Sequence, residues 1–178
     1  MEKYKTILLD WQPEYEKEIS EVYRLLKDQE KKIFDLSWYE GLGDNPLMEY
    51  VEMMIKDNLV FVIYDTEAER VAGVFMLSNL KEYKDVVLCA EVHCIICKKY
   101  WGKGSRELCE VMKKDLQERT EIKRLIAKIP QNAYSLIKIL KSIGFHHEGT
   151  IKKVLVFKDK QGNDKLYDEM YYGLDLED

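Results

Sequence analysis

The sequence predicts a single α/β domain: a mixed, mostly antiparallel sheet of about seven strands with helices on both faces. Three observations predict it. Apolar residues alternate along several short stretches and recur at helical spacing along others. Strand-like segments come in direct succession in the middle of the chain and again at its end. Between them, strand, helix and strand alternate, which calls for crossover connections and a partly parallel sheet.

The elements follow in order. Residues 4–9, Tyr-Lys-Thr-Ile-Leu-Leu, form the first strand. Pro13 suits the first turn of a helix, over which Tyr15, Ile19, Val22 and Leu26 make one apolar face. A loop around Gly41-Leu42-Gly43 leads to Asp44-Asn45-Pro46, a second helix start, and Leu47, Tyr50, Val51 and Met54 supply its inner face. "NLVFVIY" and "RVAGVFMLS" are two strands joined by a polar turn at Asp65–Glu69, and "DVVLCAEVHCIIC" is a third, longer strand. Ser105 to about Glu118 is helical, with Leu108, Val111, Met112 and Leu116 inward. "RLIAKI" is a short strand. Asn132 is the expected N-cap of a helix carrying Leu136, Ile139, Leu140 and Ile143, and Gly144 its C′ residue. "TIKKVLVFKD" and "KLYDEMYYGLDL" close the chain as a hairpin turning at Lys160–Asn163.

With 178 residues the chain suits one domain, residues 1–178, and its 28 basic against 33 acidic residues give a net charge of −5. That balance argues against a nucleic-acid binder relying on a broad basic surface. No apolar run approaches the ~18 residues of a membrane span, and the N-terminus lacks a signal-peptide core. A cytoplasmic protein with no membrane partner is expected. The four cysteines, Cys89, Cys94, Cys97 and Cys109, lie in apolar stretches and should be thiols in a reducing compartment.

The chemistry concentrates in "AEVHCIICKKYWGKGSRELC", residues 90–109. Cys94 and Cys97 have the spacing of a metal or redox pair, but in a strand residues three apart point to opposite faces. Such a pair needs a turn or helix start between its cysteines, and Ile95-Ile96 supplies neither. They are read as small buried hydrophobes. The even positions, Leu88 to Ile96, are all apolar and should pack against helices. The odd face carries Glu91 and His93, two titratable groups that are costly on an apolar strand unless solvated or paired. They suggest a cleft, or else a buried Glu–His structural pair or an odd face exposed to solvent. Among apolar neighbours the Glu91 carboxyl should gain basicity by desolvation.

Lys99-Tyr100-Trp101-Gly102-Lys103-Gly104 then opens the helix. Glycines there permit close backbone approach and positive φ, and unpaired helix N–H groups favour an anion. The run is not a Walker A loop, since Gly102-Lys103 is followed by Gly104, and Glu107 stands where the dinucleotide fingerprint needs its third glycine.

This run resembles motif A of the GNAT superfamily of acetyl-CoA-dependent N-acetyltransferases, Gln/Arg-x-x-Gly-x-Gly/Ala between a strand and a helix, here with Lys99 first. The run is most similar to the ribosomal-protein N-terminal-alanine acetyltransferase branch. "NAYSLIKILKSIGF" fits the same branch through Asn132, Ser135, Gly144 and Phe145. The resemblance is specific over residues 86–149. It implies acetyl-CoA as cofactor and an amine as acceptor: a protein N-terminus, a polyamine or another small amine. It places the pyrophosphate on the turn amides of Gly102, Lys103, Gly104, Ser105 and Arg106, and counts Lys99, which still offers a cation, and Trp101 among the cofactor-binding residues. The pantetheine arm lies between splayed strands at Glu91–Cys97 and Leu125–Ile129, with Ile95, Ile96 and Cys97 among the cofactor-binding residues. Asn132 hydrogen-bonds the arm, and Ser135 sits near the thioester sulfur. Glu91 becomes the base, with His93 able to orient a water. Many family members carry a tyrosine acid where this chain has Leu140, so proton delivery to the thiolate falls to Ser135, to water or to nothing. A monomer or homodimer fits equally. A GNAT-like module that binds CoA or a partner protein without turnover is the alternative. The acceptor should dock near residues 34–50, where Trp38, Tyr39 and Tyr50 are candidate lining.

Overall fold

A computed structural model describes residues 2–33, 44–84, 86–158 and 163–176. The expected order of elements is present. Seven strands, β1 (Tyr4–Leu9), β2 (Leu59–Asp65), β3 (Arg70–Tyr83), β4 (Val86–Ile96), β5 (Arg124–Pro130), β6 (His146–Lys158) and β7 (Asp164–Asp175), hydrogen-bond in the order β1-β2-β3-β4-β5-β7-β6. The helices are α1 (Glu16–Ile33), α2 (Pro46–Asp57), α3 (Lys103–Arg119) and α4 (Tyr134–Ser142). The described chain packs as two compact units, residues 1–78 with 93–112 and residues 79–92 with 113–178, and β3 and β4 each contribute to both.

In the first unit, the apolar stripe of α1 (Ile19, Val22, Leu25, Leu26) and that of α2 (Leu47, Val51, Met54, Ile55) pack with Val60, Val62, Val71 and Val74 of β2 and β3. Phe61 and Ile63 point to the other face of β2 and are equally buried. A strand buried on both faces reads as a continuous apolar run, which is why "LVFVIY" lacks alternation. Tyr50 is half-buried at the edge of this core, and desolvation raises its pKa. The expected loop at residues 41–43, Trp38, Tyr39 and the hairpin tip at residues 160–162 lie outside the described residues.

In the second unit, β4 and β5 run parallel over Cys89↔Arg124, Ala90↔Leu125 and Glu91↔Ile126. This parallel pair is the crossover that the strand–helix–strand order required. The ladder ends at Glu91↔Ile126, although β4 runs on to Ile96 and β5 to Pro130. β5 pairs antiparallel with β7 along its whole length, and β7 with β6. Leu125, Ala127 and Ile129 point inward with Leu140, Ile143, Phe145, Tyr172 and Leu174.

Several boundaries differ from the sequence reading. β3 extends to Tyr83, and β6 starts at His146. Asn132 does not cap α4: it lies in a turn, the helix starts at Tyr134, and Ala133 occupies the cap position without a side-chain bond. Gly144, at φ 104, is the C′ residue as expected. Its N–H donates to Lys141 O and that of Phe145 to Leu140 O, closing a Schellman motif over the buried Leu140 and Phe145. Leu88 corrects the expectation of a uniformly packed even face on β4, since it is exposed while Ala90 is fully buried.

Candidate active site

Two groups of side chains carry the polar chemistry, one in each unit. The first surrounds the turn after β4. A 3-10 turn at Lys98–Tyr100 delivers the chain to Gly102, whose φ of 82 lies in the left-handed region that disfavours side chains. Helix α3 begins at Lys103, two residues earlier than the sequence suggested. Gly104 is therefore helical and does not carry a positive φ. Its own constraint is steric, because a Cβ there would lie 3.2 Å from Tyr100 Cβ. Ser105 is buried, and its Oγ donates to Tyr100 O at 3.1 Å.

Tyr100 anchors the turn. Its hydroxyl donates to Asp65 Oδ2 at 2.6 Å, and Asp65 Oδ1 accepts the N–H groups of Glu67 and Ala68 at 3.0 and 2.9 Å. Burial pushes the Asp65 carboxyl up, but these three donors outweigh it and hold the pKa below the ordinary value. Burial and the same bond push the Tyr100 phenol up. Lys99 lies over the Tyr100 ring, and an open cavity of about 540 Å³ beside the turn is lined by Lys3, Lys99, Lys103 and Gly104 among others. Arg106 is exposed, with Glu110 at 4.0 Å.

Of the residues expected to lie along the pantetheine arm, Ile96 and Cys97 have backbone groups already engaged. Ile96 O accepts from Gln29 Nε2 at 3.0 Å and from Trp101 Nε1 at 2.9 Å, and the Cys97 N–H donates to Ala72 O. Extended backbone separates Cys94 from Cys97, and all four cysteines are thiols. Burial raises the Cys94 pKa to about 11. His93 is exposed and shares a 3.0 Å hydrogen bond between its Nε2 and Ser78 Oγ.

The second group centres on Glu91, of which 8% is accessible. Its Oε2 accepts from Asn79 Nδ2 at 2.9 Å and lies 2.6 Å from Lys128 Nζ. The Glu91↔Ile126 register places Lys128 two residues further along β5, on the same face. Lys128 is the cross-strand partner of Tyr171, whose ring lies under its ammonium and whose hydroxyl donates to Glu169 Oε2 at 3.0 Å. The hydrogen bond to Glu91 raises the Lys128 pKa, and the bond to Glu169 raises that of Tyr171. Asn79 has φ 49, a left-handed residue inside a strand, which asparagine tolerates better than most. Ser135 and Asn132 are both exposed, the first in the opening turn of α4 and the second in the turn before it.

Of the expected site residues, Glu91 is buried and charge-paired with Lys128. Neither Lys128 nor Asn79 was singled out from the sequence. The signal for Lys128 was present: it is the one charged residue between the apolar positions of "LIAKI".

No family model matches the chain. No curated protein matches it either. Solved structures do. A ribosomal-protein-S5-alanine acetyltransferase from Vibrio fischeri superposes with a TM-score of 0.68 at 19% identity, covering 100% of this chain and 96% of that one. The chain has the GNAT fold. A spermidine N-acetyltransferase chimera from Vibrio cholerae and hSSAT gives a TM-score of 0.72 at 16% identity, with 98% and 96% covered. The Salmonella typhimurium acetyltransferase yncA, solved with its cofactor acetyl-CoA, gives 0.67 at 16%, with 99% and 96% covered. Among the described residues, no helix is long and apolar enough to cross a membrane.

Proposed function

We propose that the chain is an acetyl-CoA-dependent N-acetyltransferase acting on a primary amine. The observation that carries this reading is a GNAT fold whose β4–α3 turn has its left-handed residue at Gly102. The donor set at that turn suits a diphosphate. The first N–H groups of α3 lack intrahelical partners, and Lys99, Lys103 and Arg106 are exposed cations around them. No side-chain atom stands within 4 Å of where a Gly102 Cβ would be, so the backbone is open to a ligand.

Bound there, acetyl-CoA supplies an acetyl group already activated as a thioester. The chain's own residues then have two tasks. Lys99 and the α3 amides of Lys103, Gly104, Ser105 and Arg106 hold the phosphates, while Ile95, Ile96, Cys97, Asn132 and Ser135 flank the arm. Alignment of amine and thioester supplies much of the rate. Glu91 takes the amine proton on a carboxylate oxygen, directly or through water, and His93 orients that water. Leu140 offers no proton to the departing thiolate, so water or Ser135 provides it.

The acceptors named for the solved neighbours, a ribosomal-protein alanine and spermidine, set the first panel to try. Thiol release from acetyl-CoA is measured across peptide N-termini, polyamines and other small amines, in parallel with the melting temperature. Turnover with at least one amine is expected. CoA raising the melting temperature while no amine is acetylated would leave a CoA-binding module without catalysis. Glu91→Gln keeps the shape and removes the basicity. It is expected to lower kcat roughly 10²-fold, within the usual range for a general base, with the KM for acetyl-CoA little changed. Near-full kcat in Glu91→Gln alongside a loss in His93→Ala would reverse the two roles.

A further inference from the structure

We propose that Lys128 is a positioning residue for Glu91: its ammonium keeps this buried carboxylate ionised and aimed, and thereby sets the lowest pH at which the proton acceptor is available. The inference rests on the reading above that Glu91 takes the amine proton.

The difficulty it resolves is physical. A carboxyl group with 8% accessibility on an apolar strand should protonate as water is withdrawn. A protonated Glu91 accepts nothing. The arrangement around it counters this from three strands. From β5, Lys128 Nζ approaches Oε2 to 2.6 Å. From β3, Asn79 Nδ2 donates to the same oxygen at 2.9 Å. From β7, Tyr171 places its ring 5.6 Å from the Lys128 ammonium and gives its hydroxyl to Glu169. On β4 itself, His93 is the next residue on the face and is engaged with Ser78. Of these groups, Lys128 is the cation in direct contact with the carboxylate, and opposite charge at that distance favours the ionised form. Lys128 is in turn held charged, chiefly by its bond to Glu91.

The geometry speaks for aim as well as charge. Both donors converge on Oε2 of Glu91. Asn79 reaches it from a left-handed backbone conformation, at φ 49. Such conformations persist where the surroundings enforce them and are concentrated at functional sites. The side chain of Lys128 is 32% accessible, against 10% for that of Glu91.

The test follows the Glu91 carboxyl carbon by NMR through a pH titration of ¹³C-glutamate-labelled protein, with Glu91→Gln identifying its signal. Wild type is compared with Lys128→Met, which removes the charge, and Lys128→Arg, which restores it. Lys128→Gln serves as the neutral variant should Lys128→Met fail to fold. The Glu91 midpoint is expected to rise by about one to three pH units in the neutral variant, the usual effect of one close opposite charge, and to return most of the way in Lys128→Arg. The acid limb of the kcat profile should rise by the same amount, with the KM for acetyl-CoA unchanged. A Glu91 midpoint that stays within about half a unit of wild type in a folded neutral variant overturns the assignment, as does an acid limb that fails to follow a midpoint that moves. Absence of acetyl transfer by wild type with every amine tried is a different failure: it removes the proposed function, while the titration still reports whether Lys128 governs the charge on Glu91.

Discussion

The hydroxyl of Tyr100 and the carboxylate of Asp65 join the turn after β4 to the end of β2, 35 residues apart in sequence. Removing the hydroxyl leaves a buried carboxylate short of a donor, a change that typically costs about 1–3 kcal/mol. Tyr100→Phe is therefore expected to lower the urea midpoint of unfolding without altering the slope. Its pH dependence has a definite sign. The native Asp65 carboxyl titrates below its unfolded value, so its stabilisation is full above that value, about 3.9, and fades as pH falls through the lower native one. Acid unfolding of wild type should show this loss, and Tyr100→Phe should show less of it. A steeper acid loss in the variant would contradict the assignment. At this scale the sequence was legible where a residue's own strand decides the matter. Period-two alternation put Glu91 and His93 on one face of β4. It could not supply Lys128, since the β4–β5 register joins residues 35 apart, and register is fixed by packing that no local pattern records. The apolar neighbours of Glu91 were readable, but the ammonium that approaches it was not.

The β4–α3 turn uses its two glycines for different reasons, which the sequence pattern Gly-x-Gly does not distinguish. Gly102 has a backbone conformation that side chains resist, whereas Gly104 has an ordinary one and a crowded neighbour in Tyr100. A large side chain at Gly104 must displace Tyr100 and with it the helix start. Gly104→Leu is expected to weaken CoA binding by at least about tenfold in calorimetry, and unchanged affinity would remove the phosphate role of this turn. Element type and order were readable because apolar periodicity spans whole segments. Their ends were less so. The polar tail of β3, "NLKEY", carries no apolar alternation, so its composition does not mark it as strand. Asn132 has the right chemistry for an N-cap, but the helix begins after Ala133. By contrast, Gly144 was recognisable because the Schellman motif depends on residues adjacent in the chain.

Across the chain the cysteines offer a probe of cooperativity. Cys109 is buried in α3, and desolvation raises its pKa, so it should react slowly with thiol reagents in the native state. Its labelling rate is expected to fall with stability measured by urea and to rise only on global opening, as is usual for a core position. Rapid labelling of Cys109 at zero denaturant would show that α3 opens locally. The fold class was legible at this scale because the succession of strand and helix periods limits the possible topologies. The grouping into two units was not, because their borders fall inside β3 and β4, where nothing in the composition marks a boundary. That interleaving bears on how a ribosome delivers the molecule. The first 78 residues lack their last segment, residues 93–112, until the chain has passed through residues 79–92, which belong to the other unit. Synthesis adds about 5–20 residues per second, so the nascent N-terminal half waits seconds with unpaired strand edges before its missing piece emerges. Stalled or truncated chains ending between residues 78 and 92 are therefore the lengths at which a chaperone would be needed most, and no single cut in the gene yields either half as a self-sufficient product.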